Sequence, residues 1–96
     1  MHAMQVMSAL AQATRLEVFR LLVDMLPNGM ASGDLATATA TSPNTMSAHL
    51  AILTRAGLVD SNKVGRTVIY RAETSTVEEL SEFLVLACAR GRKTRD

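Results

Sequence analysis

The chain has 96 residues, 48% hydrophobic, 20% charged and 3% aromatic, with a formal net charge of +1. That length holds one domain, residues 1–96, and the apolar content suffices for a core, which excludes a multidomain enzyme and a disordered chain. Scarce aromatics argue against a single-strand-binding surface built on base stacking, and a lone cysteine excludes an intrachain disulfide.

Met4, Met7, Leu10 and Ala11 recur at helical spacing and predict a short first helix over about 3–11. Thr14 and Glu17 stand at capping-box spacing and open a second helix. Its Leu16, Val18, Phe19, Leu21, Leu22, Val23 and Met25 are apolar on most faces, as a central core helix requires. Pro27-Asn28-Gly29 ends it, and a weaker third helix is predicted over 31–39. Ala40-Thr41 makes a turn. Ser42 is then a natural N-cap, and Pro43 suits the first helical position, where its missing N–H costs nothing. The fourth helix, Pro43 to Ala56, buries Met46, Leu50 and Leu53, turns Asn44, Ser47, Ala48, Ala51 and Arg55 outward, and stops at Gly57.

Strands are predicted over 58–63 and 67–72, joined by Val64-Gly65-Arg66. Ser75 and Glu78 repeat the capping-box spacing and open a last helix over about 76–89. Its stripe of Val77, Leu80, Leu84, Ala87 and Cys88, widened by Phe83 and Leu86, exceeds what one small domain can cover. The first and last helices are therefore expected to form a homodimer surface. The basic tail after Arg90 is expected to fray. No apolar run reaches transmembrane length and no signal-peptide pattern opens the chain, so the expected location is cytoplasmic.

The predicted fold is mainly α with a small β-hairpin, a winged helix-turn-helix in the order α-α-α-α-β-β-α. A polar-faced helix beside a basic hairpin can hold a DNA duplex by its major groove and a flanking edge. Asn44 can pair with adenine, Ser47 and His49 can meet base edges or phosphates, and Thr45 and the Ser42-capped helix start suit a phosphate. Ala48 lies on the same face, and Arg55 lies further along it. Lys63, Arg66 and Thr67 on the hairpin can reach the neighbouring groove or backbone.

Each residue also has a plainer reading. His49 can line a helix interface, Arg66 can be a solvated loop charge, and Asn44 and Ser47 can be ordinary first-turn residues. Cys88 can be inert packing or a thiol sensor. Glu78, Glu79 and Glu82 fit the helix macrodipole better than a metal site. An enzyme is not indicated: no Ser/His/Asp set, glycine-rich phosphate loop or His/Cys cluster is present.

The sequence resembles the ArsR/SmtB winged helix-turn-helix repressors over nearly its whole length. The resemblance is carried by Leu10-Ala11, Ala13 to Leu22, Ser42 to Val59 and Gly65 to Arg71. It implies a homodimer that binds a pseudo-palindromic operator in double-stranded DNA and is released by an inducer. The departures are specific. Thr39-Ala40-Thr41 stands where the family often has Leu-Gly-Leu, placing Ala40 where glycine would relieve backbone strain. Ala48 replaces a frequent basic or bulky residue. Met30-Ala31-Ser32-Gly33 lacks the thiols of metal-sensing members, and the last helix lacks their histidines. Phe83 to Ala89 is similar to the arsenic-responsive subgroup with one of its paired thiols gone, leaving Cys88 as the candidate contact for an arsenical or other thiol-reactive inducer. The alternatives are a winged-helix module for protein association and a regulator without metal sensing.

Overall fold

The computed structural model describes residues 1–94, with five helices and three strands. In chain order these are α1 (Ala3–Leu10), α2 (Ala13–Asp24), β1 (Met30–Ala31), α3 (Ser32–Ala38), α4 (Pro43–Arg55), β2 (Val59–Val64), β3 (Thr67–Ala72) and α5 (Thr74–Thr94). The strands form one antiparallel sheet in the order β1-β3-β2. This is a winged helix-turn-helix, as the sequence predicts.

The core is built mainly on one face of α4. Met46, Leu50 and Leu53 are fully buried there, against Val6, Val18, Leu22, Leu35 and Leu58. The spacing of those three α4 residues follows the helical period, which leaves the opposite face free. The second helix is less central than its composition suggests. Only Val18 and Leu22 are buried on α2, while Leu16, Val23 and Met25 are exposed. The reason is geometric: α1, α4 and β3 pack on α2, and together they cover one side.

Two helix starts differ from expectation. Gln12, not Thr14, caps α2, its Oε1 accepting the Arg15 N–H at 2.8 Å. The helix therefore begins at Ala13, Thr14 falls inside its first turn, and Arg15 occupies the position expected of Glu17. At α5 the capping oxygen belongs to Glu73, which accepts from the Ser75 N–H at 3.3 Å and from its hydroxyl at 2.8 Å. The helix starts at Thr74 and runs through Ala89 to Thr94, so the basic segment from Arg90 is helical where fraying is expected.

Two helices end in the same motif. At α4 the Leu58 N–H reaches Leu53 O and the Gly57 N–H reaches Thr54 O, each at 3.0 Å, with Gly57 at φ 76°. At α3 the Thr41 N–H reaches Ala36 O at 2.9 Å and the Ala40 N–H reaches Thr37 O at 3.3 Å, with Ala40 at φ 52°. Ala40 thus takes the left-handed conformation that glycine adopts without strain, at a cost of roughly 1 kcal/mol. Hydroxyls brace the corner: Thr39 Oγ1 donates to Leu35 O at 2.8 Å and Thr41 Oγ1 to Thr39 O at 3.2 Å.

The strand Met30–Ala31 is absent from the sequence reading. It pairs with Tyr70 and Ile69 of β3 and displaces the start of α3 to Ser32. Two residues are too short to show the alternation by which strands are recognised. The hairpin turn is also tighter than predicted. Val64 pairs with Thr67, which leaves Gly65-Arg66 as a two-residue connection with Gly65 at φ 63°.

Candidate nucleic-acid interface

The start of α4 is set by Ser42 and Pro43. Ser42 Oγ accepts the Thr45 N–H at 3.3 Å and donates to Thr45 Oγ1 at 2.9 Å, while Pro43 fills the first turn without wasting a donor. Because Met46, Leu50 and Leu53 fix the buried side, Asn44, Ser47, Ala48, Ala51 and Arg55 are all exposed on the outer one. Ser42 and Thr45 are exposed beside the helix's positive end. Arg55 lies in the last turn, where a cation also suits the helix dipole.

His49 differs from that row. It is half-buried, and its Nδ1 lies 3.3 Å from Nη1 of Arg15 on α2. Burial, and then the Arg15 charge, hold its pKa below the ordinary imidazole value. Nothing local in the sequence marks Arg15 as part of this site, because its partner lies 34 positions away.

The wing carries the remaining candidates. Lys63 pairs with Val68 across the hairpin, Thr67 with Val64, and Arg66 forms the turn with Gly65. Residues 61–68 are all exposed, so the tip projects free of the core. Arg71 does not join this basic tip as its place beside Lys63 and Arg66 in the sequence suggests. Its Nε donates to Pro27 O at 2.9 Å and its Nη1 donates to Asn62 Oδ1, so it ties the wing's root to the turn after α2. Gly29, at φ 78°, lies in that turn under β3.

The other named residues lie away from this surface. Cys88 is exposed on α5 and is not part of the core. Glu78, Glu79 and Glu82 are exposed on the same helix. Among the described residues, no three His, Cys, Asp or Glu side chains come together as a metal group would need, and no helix is long and apolar enough to cross a membrane.

Residues 10–62 match the family model of a helix-turn-helix domain. The chain is 33% identical over 82 residues to the transcriptional activator HlyU of Vibrio cholerae, which spans 85% of this chain and 73% of that protein. An ArsR-like transcriptional regulator from Rhodococcus sp. RHA1 has a similar structure, with a TM-score of 0.84 and 29% identity over 96% of this chain and 84% of that one. A homodimeric winged helix-turn-helix DNA-binding domain from Mycobacterium bovis is similar with a TM-score of 0.69 and 31% identity, over 86% of this chain and 75% of that one.

Proposed function

The chain belongs to the ArsR family of winged helix-turn-helix transcriptional regulators, and from that premise we propose that it acts as a homodimeric repressor on a pseudo-palindromic operator. The observation that carries the docking model is the exposed row of Asn44, Ser47, Ala48 and Arg55 on a helix whose other face is locked into the core, together with a projecting wing tipped by Arg66. In this reading α4 enters the major groove by its N-terminus. Asn44 and Ser47 meet base edges, Ser42 and Thr45 meet a phosphate, and Lys63, Arg66 and Thr67 grip the flanking edge. Two copies related by a two-fold axis present their helices to half-sites about 34 Å apart. The M. bovis domain, which is homodimeric, supports the pairing. HlyU is an activator, so the sign of regulation is itself part of the proposal: a dimer seated across a promoter blocks the polymerase.

Fluorescence anisotropy on duplexes from the chain's own upstream region tests this. Arg66→Ala is expected to weaken binding to every sequence and to lower the log–log salt slope by roughly 1. Ser47→Ala is expected to weaken binding to the operator more than to unrelated DNA. Unchanged affinity in both variants contradicts the docking model. A promoter reporter that rises, rather than falls, when the protein is supplied overturns repression.

Release by an inducer extends the same proposal. Cys88 lies exposed on the helix that also carries the apolar face assigned to pairing, so an arsenical or oxidant that reaches its sulfur acts on that interface. Cys88→Ser is expected to keep its operator complex in the presence of arsenite or a mild oxidant. If wild type and variant respond alike, this route of induction is wrong.

A further inference from the structure

One guanidinium joins three separate pieces of the chain. Arg15 Nε donates to Ala9 O at 2.7 Å and Nη2 donates to Ser8 O at 3.4 Å, both carbonyls in the last turn of α1. Its Nη1 meets Nδ1 of His49 on α4 at 3.3 Å. Arginine has only donors, so the histidine nitrogen must be the acceptor. His49 is then neutral, with its proton on Nε2.

The placement of Arg15 is not explained by α2 itself. It sits in the first turn, where a cation faces the positive end of the helix dipole and is disfavoured. It is instead well placed for the negative end of α1, and α1 has no basic residue of its own in its last turn. The charge serves the junction and not the helix that bears it.

We infer that Arg15 is a positioning residue for DNA recognition: it braces α4 against the end of α1 through His49, so that the helix proposed above to pair the two copies and the helix proposed to read DNA are held in one orientation. This rests on the docking proposed above. It gives His49 a role through Arg15 and not through a base. The link also needs His49 unprotonated, because imidazolium has no free lone pair and repels the guanidinium. Other charged groups on the elements packed against α4 are Glu17, Arg20 and Asp24 on α2, Asp34 on α3, and Asp60 and Lys63 on β2, and α1 has none. Of all these charges, Arg15 is the one whose field shifts the ring.

Two measurements test the link separately from DNA binding as such. Histidine 15N NMR on the free protein is expected to show His49 as the Nε2–H tautomer. Its titration should lie below the ordinary value of about 6.5 and move up in Arg15→Met. Operator affinity is expected to fall roughly ten-fold in Arg15→Met, the size of one lost charged hydrogen bond, with the oligomeric state by sedimentation unchanged. His49→Leu should lose as much, His49→Asn should lose less because its side-chain oxygen replaces the Nδ1 acceptor, and the double variant Arg15→Met/His49→Leu should be no weaker than either single one. Additive losses mean that His49 touches DNA independently and overturn the inference. So does a His49 titration that ignores Arg15→Met. If Arg15→Met fails to fold, the NMR tautomer in wild type and the comparison of His49→Leu with His49→Asn decide. If wild type binds no duplex at all, the docking proposal fails, and the NMR result alone then supports or removes the brace.

Discussion

Gly29→Ala is expected to destabilise the protein by about 3 kcal/mol, enough to remove much of the stability of a domain this small. Two independent effects combine. Gly29 has φ 78°, which strains any residue bearing a Cβ. An added Cβ would also lie 2.4 Å from the Tyr70 carbonyl oxygen, 2.8 Å from Arg71 Cγ and 2.9 Å from Ile69 Cγ2. The side-chain atoms can give way, but the carbonyl belongs to the middle strand of the sheet and is held by β1 on one side and β2 on the other. Relief would mean shifting β3, with loss of the Met30–Tyr70 pairing and of the Arg71 bond to Pro27 O. Urea denaturation followed by circular dichroism checks this. A midpoint within experimental error of wild type would show that the turn moves freely beneath the wing. Gly65→Ala is the contrasting substitution: φ is 63° but nothing lies within 4 Å of the new carbon, so its cost is expected to be the smaller one of backbone strain alone.

Leu84→Glu is expected to raise the dimer dissociation constant by roughly 1000-fold, equivalent to about 4 kcal/mol, because it places an unpaired carboxylate in each half of an apolar contact. The face concerned is unusually open. Val77 and Leu80 attach α5 to the core, but Phe83, Leu84, Val85 and Leu86 are each between 42% and 59% exposed. Met4 of α1, a helix that packs on α5, is 78% exposed. Consecutive residues on a helix point in different directions, so no neighbour within one copy can cover all four α5 side chains. Burying a fully exposed large side chain contributes on the order of 1.5–3 kcal/mol, these half-covered ones gain part of that, and a second copy is the cover proposed for them. Sedimentation velocity should show a monomer that retains wild-type helicity, and operator affinity should fall in step because a single half-site contact remains. A Leu84→Glu protein that stays dimeric and binds the operator like wild type would move the pairing surface elsewhere.

Legibility in the sequence followed the range of the interactions. The stretch from Ser42 to Gly57 could be read residue by residue because its signals are local: a hydroxyl at the cap, proline in the first turn, a period of buried residues and glycine after the end. Ala40 has no such local signal: its left-handed conformation is anticipated only through the resemblance, which places it where the family often has glycine. Gln12 was missed as a cap because its longer side chain is not the usual capping type, and Thr14 and Glu17 offered a more familiar spacing. Strand β1 was hidden by its brevity, and its pairing depends on β3, which comes much later in the chain. The outward candidates on α4 are marked by helical periodicity, Ser42 by its capping chemistry and those on the wing by the glycine turn, whereas the inward turn of Arg71 and the Arg15–His49 contact come from tertiary proximity that no spacing encodes.

The sheet order carries one more consequence. Strand β2 is bonded on one side only, so its outer margin offers unpaired amide and carbonyl groups to any passing extended peptide. Asp60, Ser61, Asn62 and Lys63 occupy that margin, and all are exposed. Polar and charged side chains there discourage strand-by-strand growth into aggregates. The molecule therefore guards its edge while leaving a greasy helical flank open, an arrangement that favours the proposed closed pair over an endless ribbon.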